Sequence, residues 1–181
     1  SNGFNSIISK YQLMFFELRK NMLLSKSYVN FALNIAKYVS NDLIDYFLAS
    51  NKDRIDSISL ADVINKKIFK VDIVPTILLE GINLQQAAES LNNIINVAIN
   101  KRVQILGETN TNEAFKEIII KCYDNCWYCC LALFCWLKKF VAHNIESSKQ
   151  KEVFTKYCNL FFSELTNNIN HCIINNINKI D

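Results

Sequence analysis

The sequence predicts an all-α fold, a helical bundle around a central apolar helix. Three observations carry this. Only three glycines and one proline punctuate 181 residues, too few for a succession of strands and tight turns. Apolar residues recur at three- and four-residue intervals almost throughout, the period of a helix with a buried face. One stretch, "KCYDNCWYCCLALFCWLKKF" (Lys121 to Phe140), holds Asp124 as its only charge between Lys121 and Lys138. A helix that is apolar all round is expected to be buried all round, with Cys129 to Phe134 as the most buried part.

Phe4, Ile7, Ile8, Tyr11, Phe15, Leu18 and Met22 mark a first helix over about residues 4–24. Ser25 or Ser27 is placed to cap a second, which carries Val29, Ala32, Ile35, Val39, Leu43, Tyr46 and Phe47 on one side. The polar stretch Asn51 to Ser57 ends it. Ser59 to Lys70 reads as a short helix or a loop, and Ile73 and Val74, just before Pro75, are biased away from helix. A helix then fits from about Thr76 to Ile105, with Gly81 as an optional break. Gly107 to Asn112 reads as a loop, with Asn112 as the cap of the next helix and Glu113 and Glu117 near its positive end. His143 to Gln150 interrupts the pattern, and a last amphipathic region runs from Val153 to Ile180. There is no internal repeat, and a single domain over residues 1–181 follows from the length.

Composition excludes several classes. Half the residues are hydrophobic and a fifth charged, a globular rather than a disordered balance. The net charge of +3 is small and its basic residues are scattered, which gives no nucleic-acid footprint. Ser1 to Lys20 mixes charge with its apolar residues and is no signal peptide. Seven cysteines, an odd number, fit reduced thiols in a cytosolic compartment better than a disulfide framework. The uncharged run after Asp124 is shorter than the ~18–20 residues that span a bilayer.

The chemistry-bearing constellations are sparse. Cys126 and Cys129 form a C-x-x-C, and on a helix Cys122, Cys126, Cys129 and Cys130 partly share a face. No second pair stands at zinc-site spacing, and His143 and His171 are distant in sequence. The expectation is buried structural cysteines with no metal. No G-x-S-x-G, phosphate-binding glycine loop or H-E-x-x-H is present. The expectation is therefore a non-enzymatic protein without a cofactor. Phe15-Phe16 and Phe161-Phe162 read as core, and Lys138-Lys139 as the basic end of the apolar helix.

Three stretches together resemble the Bcl-2 family. "LQQAAESL" (Leu84 to Leu91) is similar to its third homology motif, with Leu84, Ala88 and Glu89 at the leucine, small-residue and acid positions. "FKEIIIKCYDNCWYCCLALFCW" (Phe115 to Trp136) is similar to the first homology motif and the helix leading into it. Trp127 falls on the motif tryptophan, and Leu131, Ala132 and Phe134 on the apolar residues that follow. "LTNNINHCIINN" (Leu165 to Asn176) has the rhythm of the second motif, with Leu165, Ile169 and Ile173 at its apolar positions and Cys172 where a tryptophan is usual. "DLIDYFLAS" (Asp42 to Ser50) resembles the aromatic-bearing fourth motif, with "IISKYQLMFFELRK" (Ile7 to Lys20) as its rival. On the first choice, the helix over about 4–24 is an N-terminal addition.

The resemblance implies a Bcl-2-like bundle and a pro-survival regulator of apoptosis. Its partners would be pro-apoptotic family members, held by their amphipathic death-motif helix in a hydrophobic groove. The floor would be Trp127, Leu131 and Ala132, one wall Leu91, Ile95, Ala98 and Ile99, and the other Phe115, Ile118 and Ile119. The family motif reads Asn-Trp-Gly-Arg, whereas this chain has Cys126-Trp127-Tyr128-Cys129. Tyr128 crowds the place of the glycine, and Cys129 cannot pair with the ligand's acid as the arginine does. Arg102 or Lys101 is the nearby replacement cation. Divergence of this kind is typical of viral or distant invertebrate members. Alternatives are an immune modulator of the same fold that binds signalling proteins without death motifs, a pro-death pore former, and an unrelated helical enzyme or carrier. The resemblance implies a cytoplasmic protein, or one at the mitochondrial outer membrane through a C-terminal anchor beyond Asp181.

Overall fold

The computed structural model describes residues 3–51 and 84–178. They form five helices: α1 (Phe4–Leu23), α2 (Tyr28–Asn51), α3 (Leu84–Leu106), α4 (Glu108–Asn144) and α5 (Gln150–Ile177). There is no strand among the described residues, so the all-α class is what the chain adopts. The Ser59 to Lys70 element, Ile73 and Val74, and the start of the Thr76 to Ile105 helix with its Gly81 lie outside the described residues.

The chain divides into two compact units, one of Ser1–Lys26 with Ile120–Ile169 and one of Ser27–Ile119 with Asn170–Asp181. The first holds α1, α4 from Ile120 onward and α5 as far as Ile169. Phe4, Tyr11, Phe15 and Met22 give α1 its buried face at four- and seven-residue steps. α4 answers with Trp127, Cys130, Phe134, Leu137 and Val141, and α5 with Phe154, Cys158 and Leu165. The rings interlock: Phe4 meets Phe154 at 4.4 Å between centroids, and Tyr11 lies 5.6 Å from Phe134 and 5.0 Å from Phe162. The Tyr11 hydroxyl donates to Asn159 Oδ1. A bidentate pair, Arg19 Nε to Asp124 Oδ1 at 2.8 Å and Arg19 Nη2 to Oδ2 at 3.2 Å, ties α1 to α4.

The second unit holds α2, α3, the first turns of α4 and the last of α5. α2 packs against α3. Its buried face is Val29, Ala32, Ile35, Ala36, Val39, Leu43, Ile44 and Phe47. Tyr46 is 60% exposed, contrary to the expected stripe, although at 100° per residue its position falls between Ile35 and Val39 on the buried side. The choice of cap resolves to Ser27, whose Oγ accepts from Asn30 N at 3.1 Å. His171 on α5 lies 2.5 Å from Asp42 on α2.

The expected loop from Gly107 to Asn112 contracts to one residue. Gly107, at φ +83°, ends α3 in the left-handed region, and α4 begins at Glu108. Thr111 is buried, and its hydroxyl donates to Gly107 O at 2.7 Å. Asn112 caps a different helix from the one expected: its Oδ1 accepts from Tyr28 N, the first amide of α2, at 2.5 Å. At the other end of α4, Gln150 Nε2 donates to Ile145 O at 2.9 Å in the connection to α5.

The reading of α4 as buried all round is corrected. Cys130 and Phe134 are buried and Leu131 half-buried, but Cys129, Ala132 and Leu133 are exposed. The buried positions of α4 fall on one side of the helix. A unit of three helices has too few neighbours to cover every face of one of them, so the absence of charge marked an apolar helix and not an enclosed one.

Candidate functional site

On α3, Leu91, Ile95 and Ile99 stand at i, i+4 and i+8 and are fully buried. Phe115 and Ile119, in the first turns of α4, are buried within the same unit. These five predicted wall residues are core side chains in this conformation. Beside that stripe, one position round the helix, lie Ile94, Ala98 and Arg102, again at i, i+4 and i+8 and all half-buried. Ile118 is half-buried, and Lys101 is exposed. The lower end of this strip is held by the junction with α4, where Thr111 Oγ1 also approaches Arg102 O at 3.4 Å. At the start of α3, Ala88 is half-buried and Glu89 exposed.

The three predicted floor residues belong to the other unit and share no environment. Trp127 is 5% exposed and stacks on Phe15 at 4.8 Å and 6°. Phe134 and Phe162 meet its ring edge-on at 6.2 and 6.5 Å. Leu131 is half-buried and Ala132 exposed. Trp127 is thus the centre of an aromatic cluster.

All seven cysteines carry free thiols. Burial, with a smaller push from Cys129, raises the Cys130 thiol to about 11. Burial, with a push from Cys130, raises Cys158 to about 12. Such thiols are poor nucleophiles and poor metal ligands at neutral pH. Among the described residues, no group of three or more His, Cys, Asp or Glu side chains is placed to hold a metal ion.

The largest feature that the sequence reading missed is on α4. Tyr128, Leu133, Trp136 and Phe140 are all exposed, together with Cys129 and Ala132. Trp136 and Phe140 stack on each other at 5.2 Å. The signal was present as periodicity: these positions complement the buried 127, 130, 134, 137 and 141 series.

The chain matches no family model, no curated protein and no solved structure.

Proposed function

We propose that this chain is a non-enzymatic helical interaction protein whose partner is an amphipathic helix of the death-motif type. It would then be a pro-survival, Bcl-2-like regulator of apoptosis in the cytoplasm, and the Bcl-2-like arrangement of its helices is part of the same proposal. The observation that carries it is the half-buried strip Ile94, Ala98 and Arg102 on α3, which follows the stretch similar to the third homology motif. An incoming helix would lay apolar residues at i, i+3 or i+4 and i+7 along Ile94 and Ala98. Its acid would reach Arg102. Arg102 already makes a contact of its own, and a guanidinium's five-donor fork has room for a further acceptor. The charged contact contributes roughly 1.5–3 kcal/mol, and the apolar anchors carry the rest.

A second reading is supported by the burial of Leu91, Ile95, Ile99, Phe115, Ile119 and Trp127. With those side chains enclosed, the protein would act through its outer surfaces, as an immune modulator that binds signalling proteins without death motifs.

Calorimetric titration with a panel of death-motif peptides separates the two. The variant Ala98→Glu places a charge in the apolar strip at a position with solvent access. It is expected to abolish peptide binding and to leave helix content and melting temperature nearly unchanged. A large drop in melting temperature would show that the strip is core. Absence of binding by the unaltered protein at micromolar concentrations would remove the pro-survival reading in favour of the second.

A further inference from the structure

We propose that the exposed face of α4 is a docking surface for an anionic lipid membrane, lying on it without crossing it. This does not depend on the partner-helix reading. Tyr128, Ala132, Trp136, Cys129, Phe140 and Leu133 occupy an arc of about 140° at 100° per residue, over roughly 18 Å of helix. All six are exposed. Only 28% of the most apolar 18-residue window of α4 is buried, so the apolar character of this helix is spent mainly on its surface. Trp and Tyr with Phe and Leu are the side chains that settle at the level of lipid headgroups.

Charge selects the occupant. From Asn125 to Ile145 the only charged residues are Lys138 and Lys139. Lys121 and Lys139 are exposed and fall at the Tyr128 edge of the arc. Asp124, an acid near that edge, is held by Arg19 at 2.8 Å, and the exposed Glu117 lies one turn before Lys121, outside this unit. The unit that carries the face, Ser1–Lys26 with Ile120–Ile169, contains ten Lys or Arg against five Asp or Glu, in a chain whose net charge is only +3. Two copies meeting through this face would bring like charges together, whereas an anionic surface attracts them. The same unit also exposes Leu13 and Phe16 on α1 and Leu160 on α5, so apolar exposure is found on each of its three helices.

The test is co-sedimentation of the whole chain with vesicles of phosphatidylcholine alone and with about 30% phosphatidylserine, in low and high salt. Binding is expected on the anionic vesicles and is expected to fall as salt rises. Replacing Lys121 and Lys139 together by Gln is expected to weaken it about 30-fold, from the contribution of each lysine near such a surface. Trp136→Glu with Phe140→Glu is expected to abolish it. Tyr46→Glu, at an exposed aromatic on α2, is expected to leave it unchanged. Circular dichroism checks that each variant keeps its helix content. The proposal is overturned if the unaltered chain ignores anionic vesicles, binds neutral ones equally well, or binds as tightly after the α4 changes. It is also overturned by self-association, or by binding to an acidic peptide, that the α4 changes remove in a protein with no vesicle affinity.

Discussion

Trp127→Ala is expected to destabilise the protein by about 4 kcal/mol. The indole is 5% exposed, stacked on Phe15 at 4.8 Å and met edge-on by Phe134 and Phe162. Truncation forfeits the transfer free energy of the ring and leaves a cavity, a change worth roughly 3–5 kcal/mol for a large aromatic. Each lost ring pair contributes roughly 0.5–1.5 kcal/mol within that range, most at the close stack on Phe15. Against a total stability of about 5–15 kcal/mol, the variant would fold but melt far earlier. Trp136→Ala is the control. Trp136 is 55% exposed and has Phe140 as its ring partner, so its loss is expected to cost below about 1 kcal/mol. Urea unfolding followed by circular dichroism measures both. Iodide quenching of fluorescence adds an independent check, since Trp136 is open to the quencher and Trp127 is not. If Trp127→Ala costs less than about 1.5 kcal/mol, or no more than Trp136→Ala, Trp127 is not the centre of the aromatic core. Its predicted place in a groove floor would then regain weight.

Thiol titration with a disulfide reagent at pH 8 is expected to find Cys129 and Cys135 fast, Cys126 and Cys172 slower, and Cys122, Cys130 and Cys158 protected until unfolding, following their exposure. Stability is expected to fall as pH rises from about 9. The folded Cys130 and Cys158 hold their protons to about 11 and about 12, while the unfolded thiols release theirs near the ordinary thiol value of 9.0. In that window the folded state binds more protons, so each thiol lowers stability by about 1.4 kcal/mol per pH unit. The effect is absent below pH 8, and Cys130→Ala with Cys158→Ala should flatten the slope. Gly107→Ala is expected to cost about 1 kcal/mol, because its φ is +83° and no atom lies within 4 Å of an added Cβ. Gly107→Asn should cost less, since Asn tolerates that region better, and thermal unfolding of the pair checks it.

The helical class and the limits of α1 were legible because Phe4, Tyr11, Phe15 and Met22 repeat at one period and fall on one buried face. The start of α2 was legible because a serine cap has a local signature, one side-chain oxygen and one amide three residues on. The start of α4 was not. Glu108-Thr109-Asn110-Thr111-Asn112 has the composition of a loop. It is helical because Thr111 bonds back to Gly107 O and Asn112 reaches across to Tyr28 N, and the second partner lies 84 residues away in sequence. The burial of the candidate groove residues was hidden for the same reason. Periodicity showed that Leu91, Ile95, Ala98 and Ile99 are near one another on a helix, and the structure keeps them so. It could not show that α2 packs on this helix and encloses three of them while Ala98 stays at the margin.

The apolar run of α4 carries the wider argument. An uncharged stretch is compatible with two surroundings, protein interior or another apolar phase, because both exclude charge for the same reason. Periodicity distinguishes them only when a buried series is separated from its complement. Here the buried series is Trp127, Cys130, Phe134, Leu137 and Val141, and the complement is Tyr128, Ala132, Leu133, Trp136 and Phe140. The complement keeps large aromatic and aliphatic side chains where a soluble surface helix carries Lys, Glu and Gln. The two proposed surfaces therefore make separable demands. Ala98→Glu on α3 should remove helix-peptide binding and spare vesicle binding. Trp136→Glu with Phe140→Glu should do the reverse. If one variant removed both activities while the fold persisted, the two surfaces would have to be parts of a single site, and the division of labour between α3 and α4 would be wrong.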